Sequence, residues 1–415
     1  IDRQKAIDEK KEKERLKAEK KNKDKRRNYI SANEHISNTD CYIRKTLNMK
    51  SKLSILLLGI AGWFASQPAN ACTGITLKSK DGTTIVARTI EWGGSNLNSQ
   101  YVIVPRGYTA QSYTPEGING MKFTARYGYV GLAVEQKEFI AEGVNEAGLS
   151  AGLFYFPSYG KYEDYNASEK ENTISDLQLV SWILGNCATL DEVKEAVKSV
   201  HVVNIDPRSS TVHWRFTDAE GKQLVLEITG QTPHFFENTL GVLTNSPGFE
   251  WQLTNLNNYV NLFPGTAPAQ DLGTTPLKSF GAGSGFLGIP GDVTPPSRFV
   301  RAAFYQSTAP QQDSAEKTVL QGFQILNNFD IPVGIEFPLG KVPADIPSAT
   351  QWTSATDMTN RTIYYRTMYN SAIRSIDLRT IDFAKVKYQA IPLDNVSQQP
   401  IEQIKVSPSP KSGRK

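Results

Sequence analysis

The sequence places a cysteine directly after an Ala-x-Ala triplet, in Ala69-Asn70-Ala71-Cys72. Small residues so spaced form the cleavage signal of an export leader, and a cut after Ala71 makes Cys72 the first residue of a mature chain. A terminal cysteine carries a nucleophile and a base on one residue. Its thiol has a reference pKa of about 8.5 and its freed α-amine one of about 8, so a modest electrostatic push gives a thiolate near neutral pH. No histidine partner is then needed, and from Cys72 onward the chain has only His201, His213 and His234. Two other readings of Cys72 stay open. It could be the acylated cysteine of an envelope lipoprotein or binding protein without catalysis, although that cysteine normally follows Leu three residues back, where this chain has Ala69. It could also be an ordinary thiol. Its only mature companion is Cys187, at what reads as a buried helix end, and two cysteines are not a disulfide framework.

The cleavage signal closes a longer pattern. Met49-Lys50-Ser51-Lys52 is a short basic start, and 53–65 is an apolar run broken only by Ser54 and two glycines. That run is shorter than the roughly 20 residues a membrane helix needs, and no other stretch of the chain approaches it. Residues 49–71 therefore read as a signal peptide, and the mature protein is expected in the periplasm or outside the cell, without a stable membrane span. Residues 1–48 hold 15 basic and 9 acidic side chains, and the opening stretch 1–28 is almost all charge with no apolar stripe. They read as disorder, as a solvated helix, or as sequence outside the natural protein.

The whole chain has 415 residues, 46 Lys+Arg against 42 Asp+Glu, and 39% hydrophobic residues. This composition excludes collagen-like, fully disordered and multi-span membrane proteins. The net charge of +4 hints at an anionic partner. From Cys72 onward, however, 29 basic residues face 33 acidic ones, so the basicity belongs to what precedes. With no basic patch interleaved with aromatics, a nucleic-acid partner is not expected. No zinc-protease or phosphate-loop motif occurs. Gly283-Ser-Gly-Phe-Leu-Gly288 matches a dinucleotide fingerprint, but Ile289-Pro290-Gly291 follows it, so no helix can start there to hold a pyrophosphate. No cofactor or metal is expected.

The elements around Cys72 must bring its partners to it. Residues 72–80 read as a strand, Asp81-Gly82 as a two-residue hairpin turn, and 83–90 as the returning strand. That turn sets Cys72 opposite Glu91 and Arg88 opposite Ile75, on the other face of the sheet. Both charged residues can then approach Cys72 only through a bulge. Further on, 176–184, 189–200, 296–307 and 314–327 read as helices, the second opened by the capping box Thr189-Leu-Asp-Glu192. Residues 211–228 read as a hairpin, and 362–368 and 375–377 as strands. There is no internal repeat, so 72–400 is expected to form one domain, followed by a flexible tail at 401–415.

Several segments, taken in order, resemble the choloylglycine hydrolase and penicillin V acylase family. They are Cys72-Thr-Gly, Arg88-Thr-Ile-Glu91-Trp92, Glu142-Gly-Val-Asn145-Glu-Ala-Gly148-Leu, and the His213-Trp214 hairpin. Leu243-Thr-Asn245-Ser-Pro247, Gly291-Asp292 with Ser297-Arg298-Phe299, and Tyr365-Arg-Thr-Met-Tyr-Asn370 complete the series. The resemblance covers nearly all of 72–390. It implies an α+β fold, the four-layer αββα Ntn-hydrolase sandwich of two stacked antiparallel sheets between helical layers. It also implies hydrolysis of a linear amide C–N bond through a thioester. Cys72 would be nucleophile and, through its amine, base. Arg88 would favour the thiolate, the Asn245 side chain and the Asn145 backbone N–H would form the oxyanion hole, and Arg298 would complete the charged ring. Glu91 stands where the family usually has Asp, one methylene shorter. On the residues alone, Asn145 and Asn245 could equally shape turns, and His213 and Trp214 read as sheet packing.

The resemblance leaves the acyl group open among penicillin V, conjugated bile salts and N-acyl homoserine lactones, with the first and last favoured here. An apolar pocket is the common demand, and Trp92, Phe154, Tyr155 and Phe156 are candidates to line it, or to pack the core. The expected partner is a small-molecule acyl amide, and a homo-tetramer is implied by resemblance only.

Overall fold

A computed structural model of the protein describes residues 71–93, 96–206, 210–340 and 349–406. The charged leader, the expected signal peptide up to Asn70 and the part of the expected tail beyond residue 406 lie outside the described residues.

A five-stranded antiparallel sheet carries Cys72. It contains β1 (Ala71–Lys78), β2 (Thr84–Trp92), and three later strands, β10 (Ala349–Asp357), β11 (Thr362–Thr367) and β12 (Asn370–Asp377), in the order β1-β2-β10-β11-β12. Its companion is an eight-stranded antiparallel sheet of β3 (Gln100–Val104), β4 (Tyr129–Ala133), β5 (Ile140–Asn145), β6 (Ser150–Tyr155), β7 (Val212–Thr217), β8 (Gln223–Thr229), β9 (Thr232–Glu237) and β13 (Gln389–Pro392). The order is β9-β8-β7-β6-β5-β4-β3-β13. The central strands are buried at nearly every residue rather than at every second one. That pattern follows from cover on both faces. The two sheets face each other. Helices α4 (Pro295–Thr308) and α5 (Ala315–Leu326) pack on the outside of the first, and α1 (Leu179–Asn186) packs on the outside of the second. This is the expected α+β arrangement of four layers. Two further helices are α2 (Leu190–Lys198), capped by Thr189, whose hydroxyl accepts from the Glu192 N–H, and α3 (Phe249–Asn255).

The β1–β2 hairpin differs from expectation by one residue. Cys72 lies opposite Ile90 and Gly74 opposite Arg88, in an unbroken ladder from Thr84 to Glu91. The reason is the turn. Asp81 accepts from the Thr83 N–H and the Ser79 hydroxyl, the Ser79 N–H reaches the Thr83 carbonyl, and Gly82 takes a φ of 90°. The loop therefore holds three residues, the arrangement that needs glycine in the left-handed region. A one-residue slip moves every side chain of β2 to the other face. Arg88 thus shares the inner face with Cys72, and Glu91, opposite Ala71, does not. The irregularity lies instead in β10, where the register shifts between Thr350, facing Glu91, and Trp352, facing Ile90.

Candidate active site

Cys72 is buried at the sheet interface, 4% exposed, and Arg88 Nη2 donates to its sulfur at 2.8 Å. The guanidinium is fixed from the facing sheet: Nη1 donates to the Ala141 carbonyl at 3.0 Å and the Leu153 carbonyl at 2.6 Å. Burial pushes the Cys72 thiol above its ordinary pKa. Arg88 acts against this, Glu91 with it, and the Tyr155 backbone N–H and Arg298 again against it. Three of the four influences beyond burial therefore favour a thiolate.

Asn245, just ahead of the bend at Ser246-Pro247, approaches from another side. Its Oδ1 accepts from the Cys72 backbone N–H at 2.9 Å and from Arg298 Nη2 at 2.7 Å. Its Nδ2 donates to the Tyr155 carbonyl at 2.7 Å. Arg298, in the first turns of α4, also donates to the Cys72 carbonyl and to the Thr73 hydroxyl. One amide side chain and one guanidinium thus clamp the backbone on both sides of the Cys72 α-carbon.

Glu91 is 1% exposed. Burial pushes its carboxyl up to about 7, against the pull of Arg298, the neighbouring Thr89 hydroxyl and Arg88. The Thr350 hydroxyl donates to one carboxyl oxygen at 3.2 Å, and the other makes no hydrogen bond among the described residues. Thr350, displaced by the β10 bulge, is a partner that sequence reasoning missed.

The expectation for Asn145 needs correction. Its backbone N–H is bonded to the Leu149 carbonyl, its Oδ1 accepts from the N–H groups of Ala147 and Leu149, and its Nδ2 reaches the carbonyls of Leu184 and Cys187 at the end of α1. It stands four residues, about 13 Å, along β5 from the Ala141 carbonyl that Arg88 holds. It shapes a turn and caps a helix. The N–H beside the sulfur belongs to Tyr155 instead.

The four aromatic candidates separate into two pairs. Phe154 and Phe156 are fully buried. The Phe154 ring lies under the Arg88 and Arg215 guanidinium carbons, 4.0 and 5.4 Å from its centre, and Phe156 stacks on His213 at 4.4 Å. Both are packing residues, which corrects the pocket-lining expectation for them. Trp92 and Tyr155 are half-buried and meet edge to face at 6.2 Å.

Other buried polar groups near the site have partners that the sequence motifs did not announce. Glu142 lies between Arg88 and Arg215, 3.6 Å from each. His213, stacked in the sheet as expected, also joins Glu227 at 3.0 Å and the Thr244 carbonyl at 3.1 Å, fixing the residue before Asn245. The Glu142 pairs come from strands far apart in sequence, so no local spacing announces them, whereas His213 and Glu227 sit on the two strands of one hairpin.

The family described as linear amide C–N hydrolases, choloylglycine hydrolase family, matches residues 72–391. A bile salt hydrolase/transferase of Clostridium perfringens (strain 13 / Type A) is 33% identical over 313 residues, covering 74% of this chain and 92% of that one. A penicillin V acylase of Pectobacterium atrosepticum is 24% identical over 382 residues, 85% of this chain and 92% of that one. The crystal structure of a mutant conjugated bile acid hydrolase from Clostridium perfringens has a TM-score of 0.70 and 30% identity, covering 80% of this chain and 100% of that one. The layered architecture is accordingly that of the Ntn-hydrolases. The matched stretch begins at Cys72 and takes in every residue of the cluster around its sulfur, and the chain belongs to the choloylglycine hydrolase family, amide hydrolases acting on linear C–N bonds.

Proposed function

We propose that cleavage after Ala71 releases an exported enzyme whose Cys72 hydrolyses an acyl amide through a thioester. The freed α-amine takes the thiol proton, the sulfur attacks the acyl carbonyl, and the amine product leaves with that proton. Water then attacks the thioester, with the same α-amine as base. The observation that carries this reading is the Cys72 sulfur 2.8 Å from Arg88 Nη2, with the Tyr155 N–H beside it and the Asn245 amide on the Cys72 backbone N–H. Those two donors suit the oxyanion of the tetrahedral intermediate. The role once expected of Asn145 passes to Tyr155. Arg298 holds Asn245 in place, and the second oxygen of Glu91 is available as counter-charge to the ammonium that cleavage creates.

Ala71 is 4% exposed and paired with Glu91, so a peptidase could not reach the 71–72 bond in the folded chain. This supports cleavage during export, before β1 joins its sheet. The family resemblance suggests a homo-tetramer as the assembly. Exposed Leu272, Phe280 and Leu287 are apolar surface of the kind that association covers.

For the acyl group, the half-buried edge-to-face pair of Trp92 and Tyr155 favours a flat aromatic moiety, as in penicillin V. Conjugated bile salts are the second reading, favoured by the 33% identity to a bile salt hydrolase/transferase. The test is mass spectrometry of the mature N-terminus, with turnover of penicillin V, glycine-conjugated bile salt and acyl homoserine lactones by wild type and Cys72→Ser. We expect a free Cys72 terminus, and turnover that Cys72→Ser lowers by roughly a thousandfold or more. A diacylglyceryl-modified Cys72, or a fully active Cys72→Ser, would replace this reading with that of an envelope lipoprotein or a different nucleophile.

A further inference from the structure

Behind the sulfur lies a second set of charges. Glu142 on β5, Gly152 on β6 and Arg215 on β7 stand side by side across three neighbouring strands. In the facing sheet, Gly74 on β1 is paired with Arg88 on β2. Both glycines make room for the charged groups. A Cβ on Gly152 would lie 2.2 Å from Glu142 Oε2, and one on Gly74 would lie 2.7 Å from Arg215 Nη1. Glycine in the middle strand lets Glu142 and Arg215 meet over it, and Arg88 enters from the facing layer. Glu142 Oε2 is 3.6 Å from Arg88 Nη1, Glu142 Oε1 is 3.6 Å from Arg215 Nη2, and Ser150 Oγ donates to Oε1 at 3.3 Å. All three charged side chains are at most 2% exposed. Glu142 Oε2 and Arg215 Nη2 make no hydrogen bond among the described residues. Such a cluster is an expensive way to fill a core, since apolar residues of similar volume are often at least as stable. Its location, one guanidinium away from the reacting sulfur, needs another reason.

We propose that Glu142 and Arg215 are positioning residues for the reaction: Glu142 aims Arg88 at the Cys72 sulfur, and the two together set how much positive charge the sulfur meets. The proposal rests on the reading of Cys72 as nucleophile. Arg88 uses one face toward Glu142 and the Ala141 and Leu153 carbonyls and the opposite nitrogen toward sulfur. The other charges facing the sulfur are Glu91 on β2, Arg298 on α4 and the freed α-amine. Within the interlayer cluster two guanidinium groups surround one carboxylate, leaving one net positive charge. Removing Glu142 raises that charge and removing Arg215 lowers it, so the two changes act on the thiolate in opposite directions.

The test uses mature protein and follows iodoacetamide alkylation of the Cys72 peptide against pH by mass spectrometry, which separates it from Cys187. Glu142→Gln should move the midpoint of thiolate formation to lower pH by about half to one unit, and Arg215→Met should move it up by a similar amount. The double variant Glu142→Gln/Arg215→Met keeps the net charge and should return to the wild-type midpoint. The acid limb of kcat/KM should follow the same order. Single variants that lose only stability, with midpoints unmoved, or that shift in the same direction, overturn the proposal. If the singles do not fold, the double decides: a wild-type midpoint supports the proposal and a displaced one overturns it. Failure of the nucleophile reading looks different, because it appears as a fully active Cys72→Ser whatever the alkylation midpoints do.

Discussion

At the residue scale, two asparagines in similar Asn-containing turns have different tasks. Asn145 makes its hydrogen bonds to its own turn and to the end of α1, and Asn245 makes its bonds around Cys72 and Arg298. Their local sequences, Asn-Glu-Ala-Gly and Asn-Ser-Pro, fit a turn equally well, so residue type does not separate them. The separation is testable. Asn145→Ala leaves two carbonyls and two N–H groups short of a partner and should cost roughly 2–3 kcal/mol of stability. The kcat/KM of the folded fraction should stay within about threefold of wild type. Asn245→Ala, which removes a proposed oxyanion donor, should lower kcat by roughly a hundred- to a thousandfold. Thermal melts and steady-state kinetics on both variants check this, and a large kcat loss in Asn145→Ala would restore it to the site.

At the element scale, one residue in a hairpin loop decides which side chains meet the sulfur. Asp81 and Gly82 were legible as a turn, but Asp81 draws in Ser79 and Thr83, and the loop closes one residue wider. The same geometry places Gly152 between Glu142 and Arg215. Gly152→Ala would drive a methyl group into a fixed carboxylate on a packed sheet face. Overpacking of this kind costs about 1–3 kcal/mol. The expected outcome is a Tm below that of wild type. Equal Tm values for Gly152→Ala and wild type would show that Glu142 can move away freely.

At the scale of the whole molecule, four layers bury carboxyl groups that small domains leave wet. Asp176, ahead of α1, is pushed up to about 7 by burial, with the Leu177 N–H and Tyr162 hydroxyl pulling the other way. Its folded value lies above its unfolded one, so its contribution to stability is fully present below about pH 4 and is lost as pH rises through 7. Asp176→Asn cannot ionise. Relative to wild type it should therefore gain stability between pH 5 and pH 8, by up to about 4 kcal/mol. Tm measured for both proteins at the two pH values tests this, and parallel pH profiles would exclude Asp176 as the titrating group. Glu91 has the same sign in the described chain.

The sequence by itself determined the family and the residue types gathered at Cys72 through the order of its motifs, the layered α+β class followed from the family, and helix caps and turn residues located individual elements. The helices expected over 296–307 and 314–327 are α4 and α5, with starts within one residue of those bounds. The tertiary structure alone decided which asparagine meets the Cys72 backbone, that a Tyr155 backbone N–H joins Arg88 beside the sulfur, and that Glu142 and Arg215 stand behind Arg88. Each of those contacts joins strands separated by tens to hundreds of residues. Each also depends on a register that a single loop residue can flip, and local sequence carries no record of that choice.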